Sequence, residues 1–102
     1  MIKLELYNPK TKKSKAYTQD YISARHVRNG LKLQADMNKE GASDIALLDE
    51  AVDFVVSVFD NNEVTQDTIL DGLRGEKMWE TLGSILGQVI RGDSSEDGTE
   101  GK

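Results

Sequence analysis

The sequence predicts an α+β domain, mainly α: an N-terminal β-hairpin, then a bundle of about four helices, then a disordered acidic tail. Three observations carry this reading. The opening IKLELY alternates apolar and polar residues with the period of a half-buried strand. From Asp20 onward the apolar residues recur at helical spacing. After Arg91 the stretch GDSSEDGTEGK holds no apolar residue and four acids, too little to bury and so expected to be disordered. The length of 102 residues suits one compact domain, here residues 1–91, with 92–102 as the tail.

The hairpin spans about 2–19. Ile2, Leu4 and Leu6 share one face and Lys3, Glu5 and Tyr7 the other, Asn8-Pro9 breaks the strand, and KTKKSKAYT returns as a second strand around Ala16-Tyr17-Thr18. Lys10, Lys12, Lys13 and Lys15 gather at its turn. As a phosphate-binding patch they would need aromatic or arginine partners for the bases, and only Tyr7 and Tyr17 are near. A solvated tip whose lysines discourage edge pairing is the simpler reading.

Ile22, Ala24, Val27, Leu31, Ala35 and Met37 give a first helix over about 20–38. The loop Lys39-Glu40-Gly41-Ala42-Ser43 ends it, and Ser43 or Asp44 caps a second helix over about 44–60. That helix carries two adjacent apolar stripes: Ile45, Leu48, Val52, Val55 and Phe59, and beside them Leu47, Ala51, Phe54 and Val58. A helix this apolar must be covered on more than one side, so it lies at the centre of the domain or turns part of its surface to a partner.

The stretch FDNNEVTQDTILDGL, Phe59 to Leu73, invites comparison with a calcium loop. An EF-hand loop needs oxygen ligands at its first, third and fifth positions, glycine at the sixth and glutamate at the twelfth. Started at Asp60, the fifth is Val64, the sixth Thr65 and the twelfth Asp71, so the pattern fails. As a helix boundary it accounts for more residues. Asp60-Asn61-Asn62 ends one helix, Thr65 caps the next over about 65–73 with Asp67 in its positive first turn, and Val64 and Ile69 have the spacing of a hydrophobic staple. Gly72 or Gly75 terminates it. The last helix, about 76–91, has Met78, Leu82, Ile85 and Val89 on one stripe, widened by Trp79, Leu86 and Ile90. Gly83 and Gly87 each cost roughly 1 kcal/mol against alanine in a helix, and such a pair serves either tight internal packing or close approach of another chain.

The net charge of −5 hides a gradient: residues 1–39 hold nine Lys/Arg against three acids, and residues 40–102 hold four against fifteen. Solvated surfaces account for this, as would a nucleic-acid face or an acidic interaction tail. No cysteine is present, so thiol chemistry and disulfides are excluded. The one histidine, His26, stands beside Arg25 and Arg28 with no triad to assign around it, and the carboxylates lack metal-ligand spacing. No glycine-rich phosphate loop follows a strand. No signal peptide or membrane-spanning stretch is read, and the chain is expected to be soluble and intracellular. These residues point to a binding protein without catalysis, metal or cofactor.

The order of IKLELYNPKTKKSKAYTQDYISAR, LLDEAVDFVVSVFDNN and EVTQDTILDGL resembles the small tail assembly chaperones of long-tailed bacteriophages and prophages of Gram-positive bacteria, over roughly residues 1–75. The resemblance implies a non-enzymatic chaperone in the host bacterial cytoplasm that binds the tape measure protein, brings in major tail (tube) protein subunits and is absent from the mature virion. It also implies that a longer form can arise by ribosomal frameshifting. Glu100-Gly101-Lys102 can be encoded GAG-GGA-AAG, which contains a slippery heptamer. The family has no catalytic residues to carry over. The expected partner-binding set is Phe54, Val58, Trp79, Leu82, Gly83, Leu86, Gly87 and Ile90, on the second and last helices. A homo-oligomer is expected, with the Gly83 and Gly87 face meeting a second copy or the tape measure protein, and the longer form is a further expected partner. Two other classes stay open. One is a small nucleic-acid-binding module using the basic N-terminal third; the other is an oligomeric structural subunit joined through the glycine-bearing helix.

Overall fold

The computed structural model describes residues 2–91; the tail 92–102, with its expected disorder and its frameshift tripeptide, lies outside the described residues. The chain forms β1 (Ile2–Asn8), β2 (Lys13–Gln19), α1 (Ala24–Met37), α2 (Asp44–Val58), α3 (Gln66–Gly72), a 3-10 turn (Gly75–Lys77) and α4 (Met78–Ile90). This is the predicted hairpin followed by four helices.

β1 and β2 pair antiparallel in the register Ile2↔Gln19 to Asn8↔Lys13. At the turn the Asn8 Oδ1 accepts from the backbone N–H of Lys10 at 2.9 Å, and Lys12 takes the left-handed conformation, φ 61°. The strands differ in burial. Ile2, Leu4 and Leu6 are buried, whereas along β2 only Tyr17 and Gln19 are even half-covered. β1 rests on α3 and α4, and its close contact with α3 explains Gly72. A Cβ built there would lie 3.0 Å from Leu6 Cβ and from Tyr7 O. The last residue of α3 is therefore a glycine because β1 passes against it, and Leu73 then leaves the helix in an extended conformation.

α1 begins at Ala24 rather than Asp20. Ser23 holds the N-cap position, and residues 20–23 form a connector in which Tyr21 is exposed and Ile22 packs toward the core. The face of α1 also differs from the expected stripe: Leu31 and Ala35 are exposed, while Gly30 and Leu33 are buried. A Cβ on Gly30 would meet Leu86 Cδ1 at 3.2 Å and both Ile90 Cγ1 and Phe54 Cζ at 3.3 Å. Counting apolar side chains misplaces this face, because its centre is the residue without one.

α2 is the centre of the domain, packed against α1, α3 and α4. Ala51, Val52, Phe54, Val55 and Val58 are buried, as is Phe59 just past its end, and both predicted stripes are used. Ile45, at the open first turn, is 65% exposed. Ser43 Oγ accepts from the Ala46 N–H at 3.4 Å, so Ser43 is the cap. The helix ends at Val58, two residues short of the expected 60, because Phe59 turns to extended backbone.

The boundary reading of Phe59 to Leu73 is realised in detail. Asn61 Oδ1 accepts from the Glu63 N–H at 2.8 Å. Thr65 Oγ1 accepts from the Thr68 N–H at 3.2 Å, and Thr68 Oγ1 accepts from the Thr65 N–H at 2.8 Å, a reciprocal capping box built from two threonines. Val64 and Ile69, at the staple positions, are both fully buried.

Candidate docking surface

α4 divides the eight expected partner-binding residues into two groups. Phe54 and Val58 on α2, and Leu82 and Leu86 on α4, are buried in the core at 6% exposure or less. They hold the domain together and leave no surface for a partner. Trp79, Gly83, Gly87 and Ile90 stand at steps of four, four and three residues, one stripe along α4. Trp79 is 42% exposed, Gly83 is exposed, and Gly87 and Ile90 are half-buried.

The stripe runs beside α1. Leu33 and Met37 of α1, Ala51 of α2 and Leu82 and Leu86 of α4 line a small crevice with Trp79 and Gly83 at its mouth. At the far end Ile90 meets Gly30. The two glycines are not equivalent. A Cβ at Gly83 would touch nothing within 4 Å, and one at Gly87 would meet only the Arg91 guanidinium, 3.3 Å away. Neither glycine is required for packing against a neighbouring element of the domain.

Two charge clusters flank the helices. Asp36 accepts from Lys32 Nζ and pairs with Lys39, each at 3.1 Å, with Glu50 of α2 alongside. The bond from Lys32, with those to Glu50 and Lys39, holds the Asp36 carboxyl down at about 2. Burial, and then the neighbouring Asp36, push Glu50 the other way. At the hairpin, Glu63 Oε1 accepts from Lys15 Nζ at 2.6 Å and from the Tyr17 hydroxyl at 3.0 Å. The bond to Lys15 lowers Glu63 and raises Lys15, while partial burial raises Tyr17. These contacts join residues 48 and 46 apart in sequence, and no local signal announces them.

Beside that triad an open groove of about 530 Å³ separates the hairpin tip, with Lys10 and Lys13, from Asp67 and Asp71 of α3. His26, half-buried on α1, keeps its Nδ1 covered and without a hydrogen-bond partner. Among the described residues no group of three or more acids and histidines is placed to hold a metal ion, and no helix is long and apolar enough to cross a membrane. The exposed features include Trp79 and Gly83 on α4 and the charged clusters at Asp36 and Glu63. Over residues 1–102 the sequence matches the model of a family described as phage tail chaperone protein. No curated protein and no solved structure matches it.

Proposed function

The chain belongs to the phage tail chaperone family, a tail assembly role, and from that premise we propose that it holds the tape measure protein through the Trp79, Gly83, Gly87 and Ile90 stripe. The observation that carries this is Gly83: a helix interior accepts a cost of roughly 1 kcal/mol at a position where the domain makes no use of the missing side chain. Room for a second backbone is what such a glycine provides, and the exposed Trp79 ring one turn away supplies the apolar anchor. An amphipathic helix of a long, aggregation-prone tape measure protein is the occupant that fits, its apolar side chains seated on the stripe.

On this reading the chaperone keeps the tape measure protein soluble in the host cytoplasm, recruits major tail protein subunits along it, and leaves before the virion matures. The test is co-expression with the tape measure protein, scored by how much of the latter stays soluble and co-purifies. Gly83→Leu with Gly87→Leu should abolish co-purification while the thermal transition of the isolated chain persists. Undiminished co-purification would refute the stripe as the docking surface.

A further inference from the structure

We infer that two copies of this chain associate through β2, pairing edge to edge in antiparallel fashion about Ala16 to make a four-stranded sheet. This goes beyond the α4 stripe, which lies on a different element. A two-stranded hairpin leaves one edge of β2 open. Here that edge runs for seven residues without proline, and its backbone has no hydrogen-bond partner beyond the hairpin among the described residues. Its extensive packing is against β1 alone. Such an edge is a template for another strand, and the lysines expected to discourage edge pairing bar some registers but leave one in which no lysine faces another.

The lysines select the register. A two-fold axis through a self-paired residue keeps the faces of both sheets aligned. Centred on Ser14 or Lys15, the pairing would set lysine against lysine, which is destabilising. Centred on Tyr17, only residues 15–19 of the two strands overlap. Centred on Ala16, all seven residues pair, Lys13 meets Gln19 of the second copy, Ser14 meets Thr18 and Lys15 meets Tyr17. One step further, the basic tip at Lys12 comes to the end of the other copy marked by Asp20.

The two Lys15 residues, diagonal to one another across this axis, are each already held by their own Glu63 at 2.6 Å. Lys15 also lies 5.4 Å from the centre of its own Tyr17 ring, and pairing offers it the ring of the second copy too. Four strands satisfy a backbone that two leave open, and this is where an isolated hairpin is weakest. The interface is small, so the equilibrium shifts with concentration.

The experiment uses the full chain. Sedimentation over a concentration series should show a monomer–dimer equilibrium. Ala16→Lys, which sets two lysines face to face, should return it to monomer with unchanged circular dichroism, and Gly83→Leu should leave the dimer intact. Because the chain has no cysteine, single thiols report the register. Ala16→Cys should form a disulfide-linked dimer on air oxidation. Ser14→Cys and Thr18→Cys should do so only when mixed with each other. A dimer that persists in Ala16→Lys, or equal cross-linking by all three variants alone, or cross-linking by none, would overturn the inference.

Discussion

Replacing Gly72 and Gly83 by alanine, one at a time, should move stability in opposite directions. At Gly72 the added methyl carbon falls 3.0 Å from Leu6 Cβ, 3.0 Å from Tyr7 O and 3.2 Å from Tyr7 N. Two of these are backbone atoms of a paired strand, which cannot rotate aside as a side chain can. Forcing a methyl into such a site costs about 1–3 kcal/mol. Alanine returns at most ~1 kcal/mol of helix propensity, and less at the last residue of a helix. The net loss is roughly 1–2 kcal/mol, which in a domain of this size lowers Tm by about 4–16 °C. At Gly83 nothing lies within 4 Å. The propensity gain is then unopposed, and Tm should rise by up to ~8 °C. Thermal unfolding followed by circular dichroism at 222 nm reads both. If Gly72→Ala is as stable as the parent, β1 does not press on α3 as described. If Gly83→Ala is less stable than the parent, the open space on α4 is filled by something in the domain itself.

Thr65→Ala removes one half of the capping box and should cost ~1 kcal/mol; a melting temperature raised by calcium but not by magnesium would contradict the cap as the role of Thr65. Glu50→Gln should raise Tm at neutral pH, since the raised Glu50 carboxyl contributes stability while protonated and loses it as pH rises through its folded value. The gain should fade on acidification below 4.5, where the parent is itself protonated, and a gain that stays constant with pH would refute the assignment. Asp36 behaves in the opposite sense: its stabilisation is present above 3.8 and is lost as pH falls toward about 2, so Asp36→Asn should matter at neutral pH and cease to matter in strong acid. Trp79 is the sole tryptophan, and its emission should shift to the blue when the tape measure protein is added; an unchanged spectrum alongside demonstrated binding would place the contact elsewhere.

Where local chemistry decides an element, the sequence was enough. Thr65, Val64 and Ile69 carry their own geometry, and α3 begins where they say it does. The alternation of Ile2, Leu4 and Leu6 likewise placed β1 and its buried face. Elements that depend on who lies next to them were harder to read. α1 presents Gly30 to Leu86, Ile90 and Phe54, so its contact face is marked by an absence that hydrophobic spacing does not count. A glycine set inside a helical pattern is the available signal, and hydrophobic spacing alone favours Leu31 over it. The docking set suffered from the same gap. Adjacent apolar stripes on α2 and α4 are equally plausible from their residues, and only the crossing of these helices with α1 decides that Phe54, Val58, Leu82 and Leu86 face inward while Trp79 and Gly83 stay exposed. The Glu63, Lys15 and Tyr17 cluster joins distant segments and had no sequence signature at all.

The placement of β1 against α3 and α4 has a consequence during synthesis. Ile2, Leu4 and Leu6 leave the ribosome before the helices that cover them, which are the last of the described elements to follow. β2 pairs with β1 early but hides little of that apolar face. The nascent hairpin therefore waits, with three large aliphatic side chains uncovered, until translation has passed Ile90. Closing the domain means closing a loop of nearly its whole length, a slow and non-local step. A product stopped anywhere before α4 would keep that face open and tend to aggregate. An extension added after Arg91 would emerge only once the last covering helix had been made.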